Sequence, residues 1–194
     1  MGQNRRRFVD VVDEIIQINA QIARVWSDVY GWAPRENADL LSKARLDRQV
    51  ALSRTLKIGL RRDHDGSDEG RLILAWTNLG SLVEGTMKFF LCVFAHDYAK
   101  DYMNVGATKQ HPEPDPLMLE SLKQFFCQKA WTDDDRKAWL PLVDLVQQRR
   151  NAIHAFKDRP LGDRREFRKA VRKYRDFLQD VNGTVPYPEI EYDS

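Results

Sequence analysis

The sequence predicts an all-α protein, an up-and-down bundle of about five or six helices. Three observations carry that expectation. Apolar residues recur at spacings of three and four in one segment after another. No alternating pattern of useful length marks a strand. The segments are separated by the Gly, Pro, Asn and Asp that start and stop helices. With 194 residues the chain is long enough for a single core. We expect one domain over 1–183 and an extended acidic tail over 184–194.

Each element has its own signal. Phe8, Val11, Val12, Ile15, Ile22, Val25, Trp26 and Val29 form one stripe, predicting a first helix from about Arg6 to Tyr30, ended by Gly31 and Pro34. A second helix is expected from an Asn37 cap to Leu60, with Leu41, Ala44, Leu52 and Leu56 inward. The polar stretch 61–70 reads as a loop. The third helix, 71–98, is the most apolar and is expected at the centre. Asn78, Glu84 and Lys88 near its middle argue against a membrane span. Gly80 and Gly85 would let a neighbouring helix come close. A loop over 99–114 follows.

Asp115–Pro116 then resembles a cap and first turn of a helix running to Ala130, with Leu119, Leu122 and Phe126 inward. Thr132 and Asp135 have the spacing of a capping box, with Asp in place of Glu. Pro141 is expected to kink or restart the helix that continues through Leu142, Leu145, Val146 and Ile153. Pro160 and Gly162 break it. A last helix over 163–181 has the seam Phe167, Val171, Tyr174, Leu178 and Val181, with Asn182–Gly183 as its cap.

Composition excludes several classes. A hydrophobic content of 42% with 31% charged residues describes a soluble globular protein rather than a disordered or membrane one. Cys92 and Cys127 sit in apolar runs without metal spacing, which predicts two free thiols in a reducing cytoplasm. The N-terminal stretch lacks the uninterrupted apolar core of a signal peptide. Arg6 stands where a lipidation signal needs Ser or Thr. No phosphate-binding loop, dinucleotide fingerprint, zinc-protease motif or serine-nucleophile motif occurs. Asp63, His64, Asp65, Asp68 and Glu69 have ligand chemistry but no metal-site spacing. His96 reads as a core or capping residue, and His111 lies in a proline loop.

The charge is uneven. Net charge is only +2, yet residues 149–175 hold eleven Lys or Arg against three acids. Such a local basic surface suits a polyanion. Within it, Arg149 and His154 form an R-x4-H spacing that encloses Arg150 and Asn151. A guanidinium is always charged and holds two phosphate oxygens at once. An imidazole moves a proton near neutral pH. On a continuous helix Arg150 and His154 share a face, whereas Arg149 lies about 140° round from His154. Helix geometry favours Arg150. Asn151 can orient the histidine or the phosphate. Glu84 is the remaining polar oddity: either it partners the motif arginines or it faces solvent.

The run R-R-N-A-I-H-A-F, late in an all-helical chain, resembles the HEPN superfamily of helical bundles, many of which are metal-independent ribonucleases. The resemblance implies an endoribonuclease without cofactor or metal, acting in a toxin–antitoxin or antiviral system. It implies RNA as substrate, with Arg149, Arg150, Asn151, His154 and Glu84 at the site. The family resemblance favours Arg149 where helix geometry favours Arg150, and both are kept with a lean to Arg149. Lys157, Arg159, Arg164, Arg165, Arg168 and Lys169 are the expected RNA contacts. It also implies a homodimer that brings two motifs to one cleft, and an antitoxin or nucleotidyltransferase partner. Phe156 stands where some HEPN toxins carry a tyrosine that accepts a nucleotide, and it has no hydroxyl to modify. The alternative is a non-catalytic HEPN module that binds RNA, a nucleotide or a protein. A third possibility is a helical bundle with a chance motif, acting only in assembly.

Overall fold

A computed structural model describes residues 7–57, 67–104, 113–154, 156 and 158–188. The described residues form helices and no strand. There are eight α-helices among them rather than five or six: α1 (Phe8–Trp26), α2 (Arg35–Lys43), α3 (Leu46–Thr55), α4 (Asp68–Val93), α5 (Ala95–Asn104), α6 (Leu119–Phe125), α7 (Asp133–Arg150) and α8 (Arg164–Thr184). A π-helical turn, Phe126–Ala130, extends α6, and a 3-10 turn, Asn151–Ile153, follows α7.

The higher count comes from two breaks that no Gly or Pro announces. Ala44 is extended (ψ 123°), which splits the expected second helix into α2 and α3. The bend sends Leu41 and Leu46, five positions apart and so on different sides of a straight helix, into the same core. Phe94 departs from helical geometry (ψ 40°) and ends α4, so α5 starts anew at Ala95. Asn37 is not a cap. It lies inside α2 and donates from Nδ2 to the carbonyls of Cys92 (3.1 Å) and Val93 (2.5 Å). Those carbonyls, at the end of α4, have no partner within their own helix.

Other boundaries also moved. α1 ends at Trp26 rather than Tyr30. Asp115 does not cap α6. Leu117 closes a turn onto the Pro114 carbonyl (3.1 Å), and the helix starts at Leu119. α7 runs unbroken through Pro141, which removes the helical bond to the Lys137 carbonyl; both residues are exposed. Asn182 and Gly183 lie inside α8, which ends at Thr184. The start of the expected loose tail is held: Val185 is buried and the Tyr187 ring sits 5.9 Å from that of Trp26. His96 is exposed rather than core.

The capping box at Thr132 and Asp135 forms in both directions (3.0 and 3.2 Å). The α8 seam is buried over its whole expected length. α4 is the central helix, packed on α2, α3, α6, α7 and α8. One continuous apolar cluster draws residues from α1 through α8. No helix among the described residues is long and apolar enough to cross a membrane.

Candidate functional site

The site is built where three backbones meet: the C-terminal end of α7, the middle of α4 and the start of α8. α7 stops at Arg150, so the motif straddles a helix end. Asn151 opens the 3-10 turn, and His154 follows it in extended conformation (φ −85°, ψ 101°) with its N–H on the Asn151 carbonyl (3.2 Å). The helical-face argument that paired Arg150 with His154 therefore does not apply. Ile153, expected within the helix, instead ends this turn and is exposed.

The two arginines point to different neighbours. Arg149 forks onto Glu166 of α8, Nε to Oε2 at 2.8 Å and Nη2 to Oε1 at 3.0 Å, while Nη1 reaches the Pro160 carbonyl at 2.5 Å. All three nitrogens are engaged. Gly162, at φ +73°, makes this possible: a Cβ there would collide with the Glu166 carboxylate. Asp163 caps α8 by accepting from the Glu166 N–H (2.7 Å), which fixes Glu166 in the first turn.

Arg150 turns the other way, to α4. Its Nη1 donates to Glu84 Oε2 at 2.7 Å. Lys88 takes the other carboxylate oxygen at 2.9 Å. Glu84 thus faces the motif rather than solvent. Burial pushes the Glu84 carboxyl up, but the hydrogen bonds from Arg150 and Lys88 outweigh it and hold the pKa below its ordinary value. Gly80 provides the room: a Cβ there would lie 2.6 Å from Arg150 Cδ. Its partner glycine, Gly85, likewise admits Gln49 of α3.

His154 is exposed, and its side chain has no hydrogen bond or ion pair among the described residues. Asn151 is half-buried. Phe156 is fully exposed, so two apolar side chains, Ile153 and Phe156, flank His154 at the surface.

The expected RNA contacts divide. Arg165, Arg168 and Lys169 are exposed on α8. Arg168, with Arg172, lies over the Phe8 ring at 5.9 and 5.8 Å. Arg164 is not a free cation; it bonds Asp68 at the start of α4 (2.6 Å). Arg159 is half-buried, and its Nε is buried without a hydrogen-bond partner. Lys157 lies outside the described residues. The basic segment is thus partly neutralised by acids from elsewhere in the chain: Glu84, Asp68, and Glu14, which takes Arg175 at 2.6 Å. Sequence reasoning missed Glu166, Lys88 and Asp68. Glu166 alone had a local signal, three residues after the Asp163 cap.

Among the described residues no group of three or more His, Cys, Asp or Glu is placed to hold a metal ion. Asp63, His64, Asp65 and His111 lie outside them. Comparisons with family models, with curated proteins and with solved structures each give no match for this chain.

Proposed function

We propose that this chain is a metal-independent endoribonuclease of HEPN type that acts as a homodimer, in a toxin–antitoxin or antiviral setting. One observation carries the reading. His154 is exposed and uncommitted four residues beyond Arg150, whose Nε and Nη2 make no hydrogen bond among the described residues. Arg149, by contrast, has its whole fork on Glu166 and Pro160. Arg150 is therefore the better candidate for the phosphate, with Arg149 holding the end of α7 against α8.

The chemistry needs only what these groups supply. His154 takes the proton from a ribose 2′-hydroxyl. The oxygen attacks the adjacent phosphorus, and the bond to the 5′-oxygen breaks. Arg150 stabilises the charge that builds on the non-bridging oxygens. The leaving 5′-oxygen needs a proton, which a His154 from a second copy donates. The exposed Ile153 and Phe156 beside the histidine are the apolar surface that such a pairing would cover. Arg165, Arg168 and Lys169 are the exposed cations for the RNA backbone.

The test is incubation of the purified chain with RNA in excess EDTA. Cleavage to products with 2′,3′-cyclic phosphate ends is expected, because only 2′-hydroxyl attack makes them. A second reading, a HEPN module that binds RNA, a nucleotide or a protein without cutting, is favoured by the carboxylates already on both motif arginines. RNA retention without cleavage in that experiment would select it.

A further inference from the structure

A second feature lies further along α4. A cavity of about 430 Å³ opens between the α2–α3 corner, the second half of α4 and the turn at 113–115. Its floor includes Leu46, Phe89 and Cys92, all buried. Burial pushes the Cys92 thiol up to about 12, so the sulfur is a neutral apolar wall rather than a nucleophile. The extended backbone at Ala44 opens the corner, and α2 and α3 diverge from it.

The rim is cationic. Lys43, Arg45, Arg48 and Lys88 line it against Glu113 and Asp115. Lys43 is answered weakly by Glu113 (3.4 Å), both exposed. Arg45 is answered by Asp47 (2.6 Å). Lys88 lies between Glu84 and the Asp115 carbonyl (2.7 Å). The Arg48 side chain has no hydrogen bond or ion pair among the described residues. The four rim cations are matched by four acids, Glu113, Asp115, Asp47 and Glu84, and Arg48 is the cation whose side chain stays unanswered among the described residues; an apolar floor beside it discriminates for one kind of molecule. A plain inorganic anion gains nothing from the floor, and a neutral apolar molecule gains nothing from the rim.

We propose that this cavity binds a small amphipathic anion, its apolar body on the Leu46–Phe89–Cys92 floor and its carboxylate or phosphate head at the Arg48–Lys88 rim. The volume lies within the range of about 300–1,000 Å³ usual for small-molecule sites. A mononucleotide and a medium-chain fatty acid share this chemistry. The cavity adjoins the motif through Lys88, which also bonds Glu84, but the proposal does not depend on the ribonuclease reading.

Isothermal titration calorimetry on the full chain tests it, with octanoate, adenosine 5′-monophosphate and inorganic phosphate as probes. Octanoate or the nucleotide should bind one per chain, at least about tenfold more tightly than phosphate, because only they use the floor. Which of the two binds more tightly identifies the source of the ligand. Arg48→Glu should weaken that binding about fivefold to tenfold, since it reverses a charge at an exposed position. Ala44→Phe, which fills the corner, should abolish it. Should Ala44→Phe fail to fold, Arg48→Glu still decides. The proposal is overturned if neither organic anion binds more tightly than phosphate, or if Arg48→Glu leaves the affinity unchanged.

Discussion

Arg150 and Glu84, 66 positions apart in the chain, meet at 2.7 Å where α7 crosses α4 at Gly80. The contact ties the motif to the most buried helix of the fold. Nε and Nη2 of Arg150 make no hydrogen bond among the described residues, and His154, four positions on, is exposed. Arg149 makes a different contact, a bidentate pair with Glu166 17 positions away. One arginine is fully occupied in joining two helices, and the other is only partly so.

That difference predicts divided phenotypes. Arg149→Ala should lower stability by about 1–3 kcal/mol, because it leaves the partly buried Glu166 without its partner. Its effect on RNA cleavage should be small once the protein is folded. Arg150→Ala should lower cleavage by about 10²-fold or more, as expected for loss of a group that stabilises developing charge. Thermal melts and single-turnover cleavage on the two variants check this.

Gly80→Ala tests the geometry itself. Alanine is the better helix former by about 1 kcal/mol. Against that, its Cβ meets Arg150 Cδ, and overpacking costs about 1–3 kcal/mol. The steric term wins, so the variant should be less stable. In an Arg150→Ala background the same change should become neutral or stabilising, a coupling that a double-mutant cycle in urea measures directly.

Glu84 sets a pH dependence. Its carboxyl titrates below the ordinary value in the folded protein, so its ionised form contributes stability above about pH 4.3, its unfolded value. That contribution is lost as pH falls through the lowered folded value. Glu84→Gln should therefore be less stable than the parent at pH 7 and should show a smaller loss on acidification from pH 5 to pH 3. Urea midpoints across that range give the comparison.

How much of this was legible in the sequence depended on distance along the chain. The α8 seam and the Thr132–Asp135 box are local patterns, and both read correctly. Gly80 and Gly85 were legible as points of close approach, but not what would approach them. The breaks at Ala44 and Phe94 have no local breaker; core packing sets them, through Leu41 and Leu46 at the first. The ion pairs of Arg164 with Asp68 and of Arg175 with Glu14 join residues 96 and 161 positions apart. Such partners are chosen by packing, so a segment that is strongly basic in sequence becomes a surface with fewer free cations.

RNA affinity should follow the free cations rather than the sequence charge. Arg165→Ala should weaken RNA binding and reduce the salt slope by about one unit, as for loss of one phosphate contact. Arg164→Ala should instead destabilise the fold through Asp68 and leave the slope nearly unchanged. Fluorescence anisotropy with a labelled RNA over a range of salt concentrations separates the two.

The proposed dimer is testable at Phe156. Phe156→Asp places a charge in the exposed apolar surface beside His154 and should convert a dimer into a monomer at micromolar concentration by sedimentation equilibrium. Cleavage should fall with it, since the second proton-transfer group is lost. A monomeric parent that cleaves RNA at full rate would contradict the paired-site account.

The central claim is that His154 moves a proton during RNA cleavage. The most direct measurement is the single-turnover rate of His154→Ala in excess EDTA, beside the parent. The side chain is exposed, so the variant should fold normally. The account predicts a loss of about 10²–10⁴-fold, the range for a general acid or base, with 2′,3′-cyclic phosphate ends on the parent's products. A His154→Ala protein that cuts as fast as the parent, or a parent that cuts only with added magnesium, would contradict it.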